Sequence, residues 1–169
     1  MKRLFQITLL LALPLALPLG CKGDTEEKAE EKIEALPEAS NGSPVSAKFV
    51  EFIGEGEERG VKVLVYNNGD KTAAGMTILL RYYDASDKLL KVKEGTPFEK
   101  DNDFTSVSGG KYKVKPNKNG RFELDGRMLG VPAAATRAEI LISKADALGG
   151  DGSSIEDWWS QENFSDWPE

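Results

Sequence analysis

The side chains able to do chemistry are few in this sequence, and no histidine stands among them. Histidine is the side chain that titrates near neutral pH, so its absence excludes Ser-His-Asp and Cys-His nucleophile systems. Zinc also loses its preferred ligands, because the chain offers no imidazole and a single thiol, Cys21. Carboxylate pairs, Ser-Lys pairs and tyrosine remain as catalytic groups, but no spacing signals any of them. We therefore expect a protein that is not an enzyme, has no catalytic residues and carries no cofactor.

Two spaced acidic pairs are the candidates for a metal site: Asp101 with Asp103, and Asp84 with Asp87. Calcium takes roughly six to eight oxygen ligands, and no EF-hand loop with a bidentate glutamate follows either pair. Aspartate also supports turns by accepting hydrogen bonds from its own backbone. The pattern therefore favours solvated turns and predicts no metal site. Gly109-Gly110 likewise lacks the strand-to-helix context that phosphate binding needs.

The N-terminus has the pattern of an export signal. A basic head at residues 1–3 precedes an apolar run over residues 4–19, and Gly20 and Cys21 follow. This junction resembles the lipobox of bacterial lipoproteins, in which the cysteine is acylated and becomes the new N-terminus. The resemblance implies a signal peptide over residues 1–20, lipidation at Cys21 and attachment to a membrane of the bacterial cell envelope. Plain secretion is the alternative.

The residue after Cys21 and the net charge narrow the location and the partners. Lys22, rather than an aspartate, follows the cysteine. In enteric-type sorting of lipoproteins, this pattern is similar to that of proteins sent to the outer membrane, so the resemblance implies that destination. Loss of Lys2 and Arg3 with the signal changes the net charge from −6 to −8. A net negative chain is a poor candidate for binding nucleic acid, so we expect none. The expected partners are the membrane, through the anchor, and an envelope protein or glycan.

The rest of the chain divides into three parts. Residues 21–45 are rich in Glu, Lys and Ala and are typical of a flexible acidic tether. Residues 46–144 have the texture of a β domain, and residues 145–169 form an acidic, tryptophan-rich tail. The seven predicted strands are Ala47–Ile53, Val61–Tyr66, Met76–Tyr83, Leu89–Val92, Lys111–Lys115, Arg121–Asp125 and Arg137–Ser143. Short strands with turns between them predict an all-β fold, a single immunoglobulin-like antiparallel β-sandwich.

Alternation along these strands predicts which side chains fill the core. In a strand, successive side chains point to opposite faces, so every second residue shares one face. The residues predicted to point inward are Val63, Ile78, Leu80, Tyr82, Phe122, Leu124, Ile140 and Ile142.

Residues 61–92 resemble the FxLYD-type immunoglobulin-like domain. In that family a strand ends in asparagine, a polar turn follows, and the next strand ends in Leu-Tyr-Asp before a tight turn. Here Asn67 ends the first strand, Leu80 and Tyr82 stand in the places of Phe and Leu, and Tyr83-Asp84 match directly. The resemblance implies a sandwich found on bacterial surface proteins, and it implies no activity.

The three tryptophans, Trp158, Trp159 and Trp167, are candidate binding residues because all lie in the predicted tail. Indoles are costly to leave in water, so such a cluster normally contacts something. Three alternatives stay open: the tail packs on its own domain, it is a linear motif for a protein partner, or Trp158 or Trp159 stacks on a sugar.

Lys111, Lys113 and Lys115 are the second set of candidate binding residues, since they share one face of a predicted strand. Lysines on an edge strand discourage aggregation between sheets, which is one explanation. The other is an anionic partner, such as phospholipid headgroups or lipid-linked sugar acids. We further expect the acidic tail, if it docks, to lie over these lysines.

The junction at Gly20-Cys21 generates a direct prediction. Labelled fatty acid is expected to be incorporated into the wild-type protein, and Cys21→Ser should abolish labelling and release the domain from membranes, since about two acyl chains are needed for stable anchoring. Undiminished labelling of Cys21→Ser would contradict the lipid anchor.

Overall fold

The computed structural model describes residues 36–37, 41–110 and 112–168, so the predicted signal peptide, Cys21 and Lys111 lie outside the described residues. Within them, eight strands form two antiparallel sheets packed as a sandwich, which confirms the all-β fold class. The strands are β1 (Val45–Ile53), β2 (Gly60–Asn67), β3 (Ala73–Tyr83), β4 (Leu89–Leu90), β5 (Phe104–Gly109), β6 (Asn119–Leu124), β7 (Arg137–Leu148) and β8 (Ile155–Ser160). A 3-10 turn (Gly56–Glu58) and a single helical turn, α1 (Gly126–Leu129), complete the elements. No helix of this described part is long and apolar enough to cross a membrane.

The strand order is that of an immunoglobulin-like sandwich. One sheet has the order β1-β2-β6, and the other has β4 and β5 beside β3, followed by β7 and β8. Strands β1, β2 and β6 correspond to A, B and E of the immunoglobulin pattern, and β3, β7 and β8 correspond to C, F and G. The last strand of the pattern is therefore supplied by β8.

The core lies between the two sheets and is built by alternation, as the sequence predicts. Val61, Val63 and Val65 of β2 are fully buried and face the even-numbered residues Ile78, Leu80 and Tyr82 of β3 in one apolar cluster. Of the eight residues predicted to point inward, Val63, Ile78, Leu80, Tyr82, Leu124 and Ile142 are buried, and Phe122 and Ile140 are partly buried against the same cluster.

Two strands of the structure were not predicted, and one predicted strand is largely absent. Around Lys113 and Lys115, the sheet contact is an isolated bridge between Val114 and Ala73, with two backbone hydrogen bonds of 3.0 Å. The chain turns at once, because Lys118 donates its backbone N–H to the Lys115 carbonyl (3.1 Å). The unpredicted β5 is rich in Thr and Ser, so its strand conformation depends on pairing with β3 rather than on apolar alternation.

The boundary expected at residue 144 lies inside β7, which runs on to Leu148, and β8 falls within residues 145–169. The physical reason is that β7 pairs along one side with β3 and offers its other side to β8. Residues 145–148 and 155–160 of the expected tail are therefore part of the sheet.

Burial separates the effects of two core substitutions. Leu80→Ala should lower the free energy of unfolding by about 2–5 kcal/mol, because it opens a cavity between the sheets. Ile140→Ala should cost less, because Ile140 keeps part of its surface in water. Denaturation midpoints of the two variants measure this difference, and equal losses would contradict the packing described here.

Candidate functional site

Trp158 and Trp159 are consecutive residues of β8, but their side chains have different surroundings. Trp158 packs against the core cluster, and its indole covers Gly69 so closely that a Cβ at that glycine would overlap the ring. Pro44 lies against the same spot, with its Cβ 3.0 Å from the place where a Gly69 Cβ would stand. Trp158 is thus a structural side chain, which agrees with the alternative that the tail packs on its own domain.

A tight loop brings β8 back against β7. The backbone N–H of Gly149 donates to the Ser154 carbonyl (2.9 Å), which closes the hairpin. Asp151 accepts from the backbone N–H groups of Ser153 and Ser154 and from the Ser154 hydroxyl, each at 2.8 Å. These bonds, the backbone ones foremost, hold the pKa of Asp151 well below its usual range. The loop is therefore set by local hydrogen bonds that favour the charged carboxylate.

One acid of β8, Asp157, forms an ion pair with a lysine of the neighbouring strand β7. Lys144 places its Nζ 2.7 Å from Asp157 Oδ1 and 3.1 Å from Asp146 Oδ1. The hydrogen bond between Lys144 and Asp157 raises the pKa of the lysine and lowers that of the aspartate. The expectation that the tail acids lie over Lys111, Lys113 and Lys115 is therefore wrong for Asp157.

Trp167 contacts the outer face of the second sheet. Its ring centroid lies 4.5 Å from the guanidinium carbon of Arg81 in β3, a cation–π contact. Arg81 also forms an ion pair with Asp103 (3.0 Å). The chain beyond β8 is therefore held on this face by the ring of Trp167. That ring makes a contact within the protein, so it is not wholly free to bind a ligand.

Trp159 borders a shallow depression of about 360 Å³ together with the partly exposed Phe164. Lys144, Asp157 and Ser160 supply polar groups at its edge. An aromatic face beside hydrogen-bonding groups is a combination that can hold a sugar or another flat polar molecule. Of the three tryptophans, Trp159 is the one best placed for contact with a ligand.

Asn67 organises the loops that carry the predicted lysines. Its side chain is fully buried, and its amide nitrogen donates to the carbonyls of Lys71 (2.7 Å) and Val114 (2.8 Å). Its amide oxygen accepts from the backbone N–H of Gly69 (2.9 Å). Asn67 therefore brings together the β2–β3 turn and the segment of Lys113 and Lys115, both of which are exposed.

The acidic pairs behave as turn and ion-pair residues. Asp84 accepts from the backbone N–H groups of Ser86 (2.8 Å) and Lys88 (3.0 Å). Asp103 pairs with Arg81, as described above, and Asp101 Oδ1 lies 3.3 Å from Lys91 Nζ. Across the described residues, no cluster of three or more Asp, Glu, Cys or His side chains could hold a metal ion.

A groove that the sequence did not reveal lies at the end of the sandwich beside the β1–β2 turn. We call it the distal groove; it has a volume of about 470 Å³ and is lined mainly by apolar surface. Phe98 stands over it with 64% of its surface exposed. The residues that define it are Glu57, Lys93, Phe98, Arg127, Val131 and Ala133. A signal was present in the sequence, since Phe98 is a large apolar residue inside a polar, turn-rich segment.

Hydrogen bonds hold the walls of the distal groove in place. Arg59 donates to the carbonyls of Pro132 (2.9 Å), Ala133 (3.0 Å) and Ala135 (2.8 Å), fixing one wall. The loop that carries Phe98 is tied down as well, because Lys93 donates its backbone N–H to the Gly130 carbonyl (2.9 Å). The groove is therefore formed before any ligand arrives.

Comparison with known proteins adds little to this description. No family model matches the chain, and no curated protein matches it. Among solved structures, a DUF1425 family member from Shewanella sp. pv-4 is similar at 16% identity and a TM-score of 0.37, covering 67% of this chain and 94% of that one. A likeness at that level carries no argument about function.

The packing of Trp158 on Gly69 predicts the effect of adding one methyl group. Gly69→Ala should displace the indole and cost about 1–3 kcal/mol of stability, as overpacking does. Gly150→Ala is the matched control, because a Cβ at Gly150 meets no atom within 4 Å. Denaturation midpoints followed by tryptophan emission measure both variants, and equal midpoints would show that Trp158 does not pack on Gly69.

Proposed function

We propose that this protein is a bacterial cell-envelope lipoprotein, anchored through Cys21 and sorted to the outer membrane, whose FxLYD-type sandwich is a binding or accessory module rather than an enzyme. The single observation that carries the binding role is the distal groove. Its floor is apolar, and charged residues of both signs stand at its rim. Protein interfaces share this composition, with an apolar centre and a polar rim.

The occupant that suits the distal groove is an apolar side chain of an envelope protein. Exposing an aromatic ring to water is unfavourable, so a partner that covers Phe98 gains binding free energy from burying it. Glu57, Lys93 and Arg127 at the rim offer both signs of charge to the partner's backbone and polar side chains. A groove of this volume is large enough for one or two such apolar side chains.

The course of the chain supports an outward-facing groove. Val45, where the tether joins β1, pairs with Asn67, while Ile53 at the other end of β1 pairs with Gly60 beside the groove. At about 3.3 Å per residue, β1 separates these two ends by roughly 25–30 Å. The distal groove and the point where the tether joins β1 therefore lie at opposite ends of β1.

Site-specific photo-crosslinking tests the groove in the complete, membrane-anchored protein. A photoreactive residue in place of the exposed Ala133 should crosslink a partner, and Phe98→Ser should lower the yield by about ten-fold or more, because it removes a central aromatic contact. Ile155→Ser is the matched control, since Ile155 is also exposed (53%) but lies at the opposite end of the sandwich. A yield that is the same in all three proteins would contradict the role of the groove.

A glycan is the second candidate ligand, and the depression beside Trp159 favours it. Its ring lies next to Lys144, Asp157 and Ser160, which supply hydrogen-bonding groups around an aromatic face. If crosslinking does not depend on Phe98, while cell-wall glycan retains the wild type but not Trp159→Ala, the glycan takes the place of the protein partner.

A further inference from the structure

Four exposed lysines meet at the end of the sandwich opposite the distal groove. We call this surface the lysine end; it consists of Lys71, Lys113, Lys115 and Lys118. Asn67 connects them, because its side chain binds the carbonyl of Lys71 and its backbone N–H donates to the carbonyl of Lys118 (3.0 Å). Lys113 and Lys115 flank Val114, whose carbonyl accepts from the same amide. Residues distant in sequence are thus held on one surface.

The structure removes the simpler explanation for two of these lysines. Protection of an edge strand requires the lysines to lie on such a strand, whereas Lys113 and Lys115 lie in a loop that makes one isolated bridge to Ala73. Within the described residues, none of the four ammonium groups at the lysine end forms an ion pair. Their charge therefore remains available to an outside partner.

The segments that carry these lysines contain few acidic residues. Along residues 67–73 and 112–121 the only acid is Asp70. The loop before β8, which carries Asp151, reaches the same end of the sandwich, because Leu148 donates its backbone N–H to the Thr72 carbonyl (2.8 Å). The Asp151 carboxylate is already engaged by the backbone of Ser153 and Ser154. An overall negative protein thus keeps a basic surface, which an anionic surface can attract locally.

The segment before β1, which leads toward the proposed anchor, passes beside the lysine end. The Pro44 carbonyl accepts from the backbone N–H of Asn68 (2.8 Å), and Val45 pairs with Asn67. Residues 21–45 join this point to Cys21, so acylation would hold the lysine end near the bilayer at a high effective concentration.

From this placement we propose that the lysine end docks onto anionic phospholipid headgroups of the leaflet that holds the anchor. The lysine ammonium groups lie against the lipid phosphates, and the distal groove faces away from the bilayer. This inference rests on the proposed anchoring at Cys21 for its geometry in the cell, but the affinity of the surface for anionic lipid is a property of the lysines themselves.

Vesicle sedimentation of the mature chain from residue 21, with Cys21→Ser to remove acylation, tests that affinity directly. At low ionic strength the protein should bind vesicles of phosphatidylglycerol and phosphatidylcholine at least about ten-fold better than phosphatidylcholine alone. Binding should be lost at roughly 1 M salt, where the Debye length falls to about 3 Å.

A pair of double variants with the same net charge separates the lysine end from charge in general. Lys113→Gln with Lys115→Gln should lower binding about 25-fold, since each lysine near an anionic surface contributes about five-fold. Lys91→Gln with Lys100→Gln, in the loop that carries Phe98, should change it less than about two-fold. Unchanged denaturation midpoints confirm that all variants fold.

The inference is overturned if the wild type does not bind anionic vesicles at low salt, if it binds both vesicles equally, or if the two double variants lose binding equally. Because the Cys21→Ser protein used in these experiments lacks the acyl anchor, their results do not depend on acylation. Fatty-acid labelling of the wild type judges the anchor separately, so failure of the docking surface and failure of the proposed function can be told apart.

Discussion

Asn67 stands where the two sheets meet, with its amide fully enclosed and with both its amide N–H groups and its amide oxygen hydrogen-bonded. A buried amide without partners costs about 1–3 kcal/mol for each group left unsatisfied, so the surrounding loops have one arrangement that satisfies it. The carbonyl of Val114 receives both this amide and the backbone N–H of Ala73 in the second sheet. Two features depend on Asn67: the arrangement of the loops at the lysine end, and the position of the chain that enters β1 beside β2.

The two ends of the sandwich are built by different means. One end is organised by a buried polar network and presents positive charge, whereas the other is fixed by Arg59 on three carbonyls and presents apolar surface. Loops at the ends of a rigid sandwich are where such domains carry their binding residues. The proposed attachment uses one end, and the proposed partner recognition uses the other.

Much of the fold could be predicted from the sequence because period-two alternation is a strong local signal. Val63, Leu80 and Ile142 alternate with polar neighbours or lie in apolar runs, and all are buried. β8 escaped prediction because its residues look like an acidic aromatic tail until the free side of β7 is known. Pairing partners lie far apart in the chain, so this information is absent from any local window.

The candidate site was less predictable than the fold, for a related reason. The types of Lys113, Lys115 and Trp159 marked them as candidates, but their neighbours in space come from distant loops. The distal groove gave a weaker signal, since more than thirty residues separate Phe98 from Val131. The hydrogen bond between Lys93 and Gly130 joins the two loops that carry them. Residue types can be recognised from the sequence alone, whereas the composition of a surface depends on which distant segments the fold brings together.

Trp158 also has a consequence for the order in which the protein matures. This indole, carried by the strand that follows β7, packs against Gly69 and the core cluster. The sandwich therefore cannot reach its final packing until residue 160 has been synthesised and brought back to β7. A chain interrupted before β8 would lack this side of the core, and its remaining strands would pack less tightly than they do in the complete sandwich.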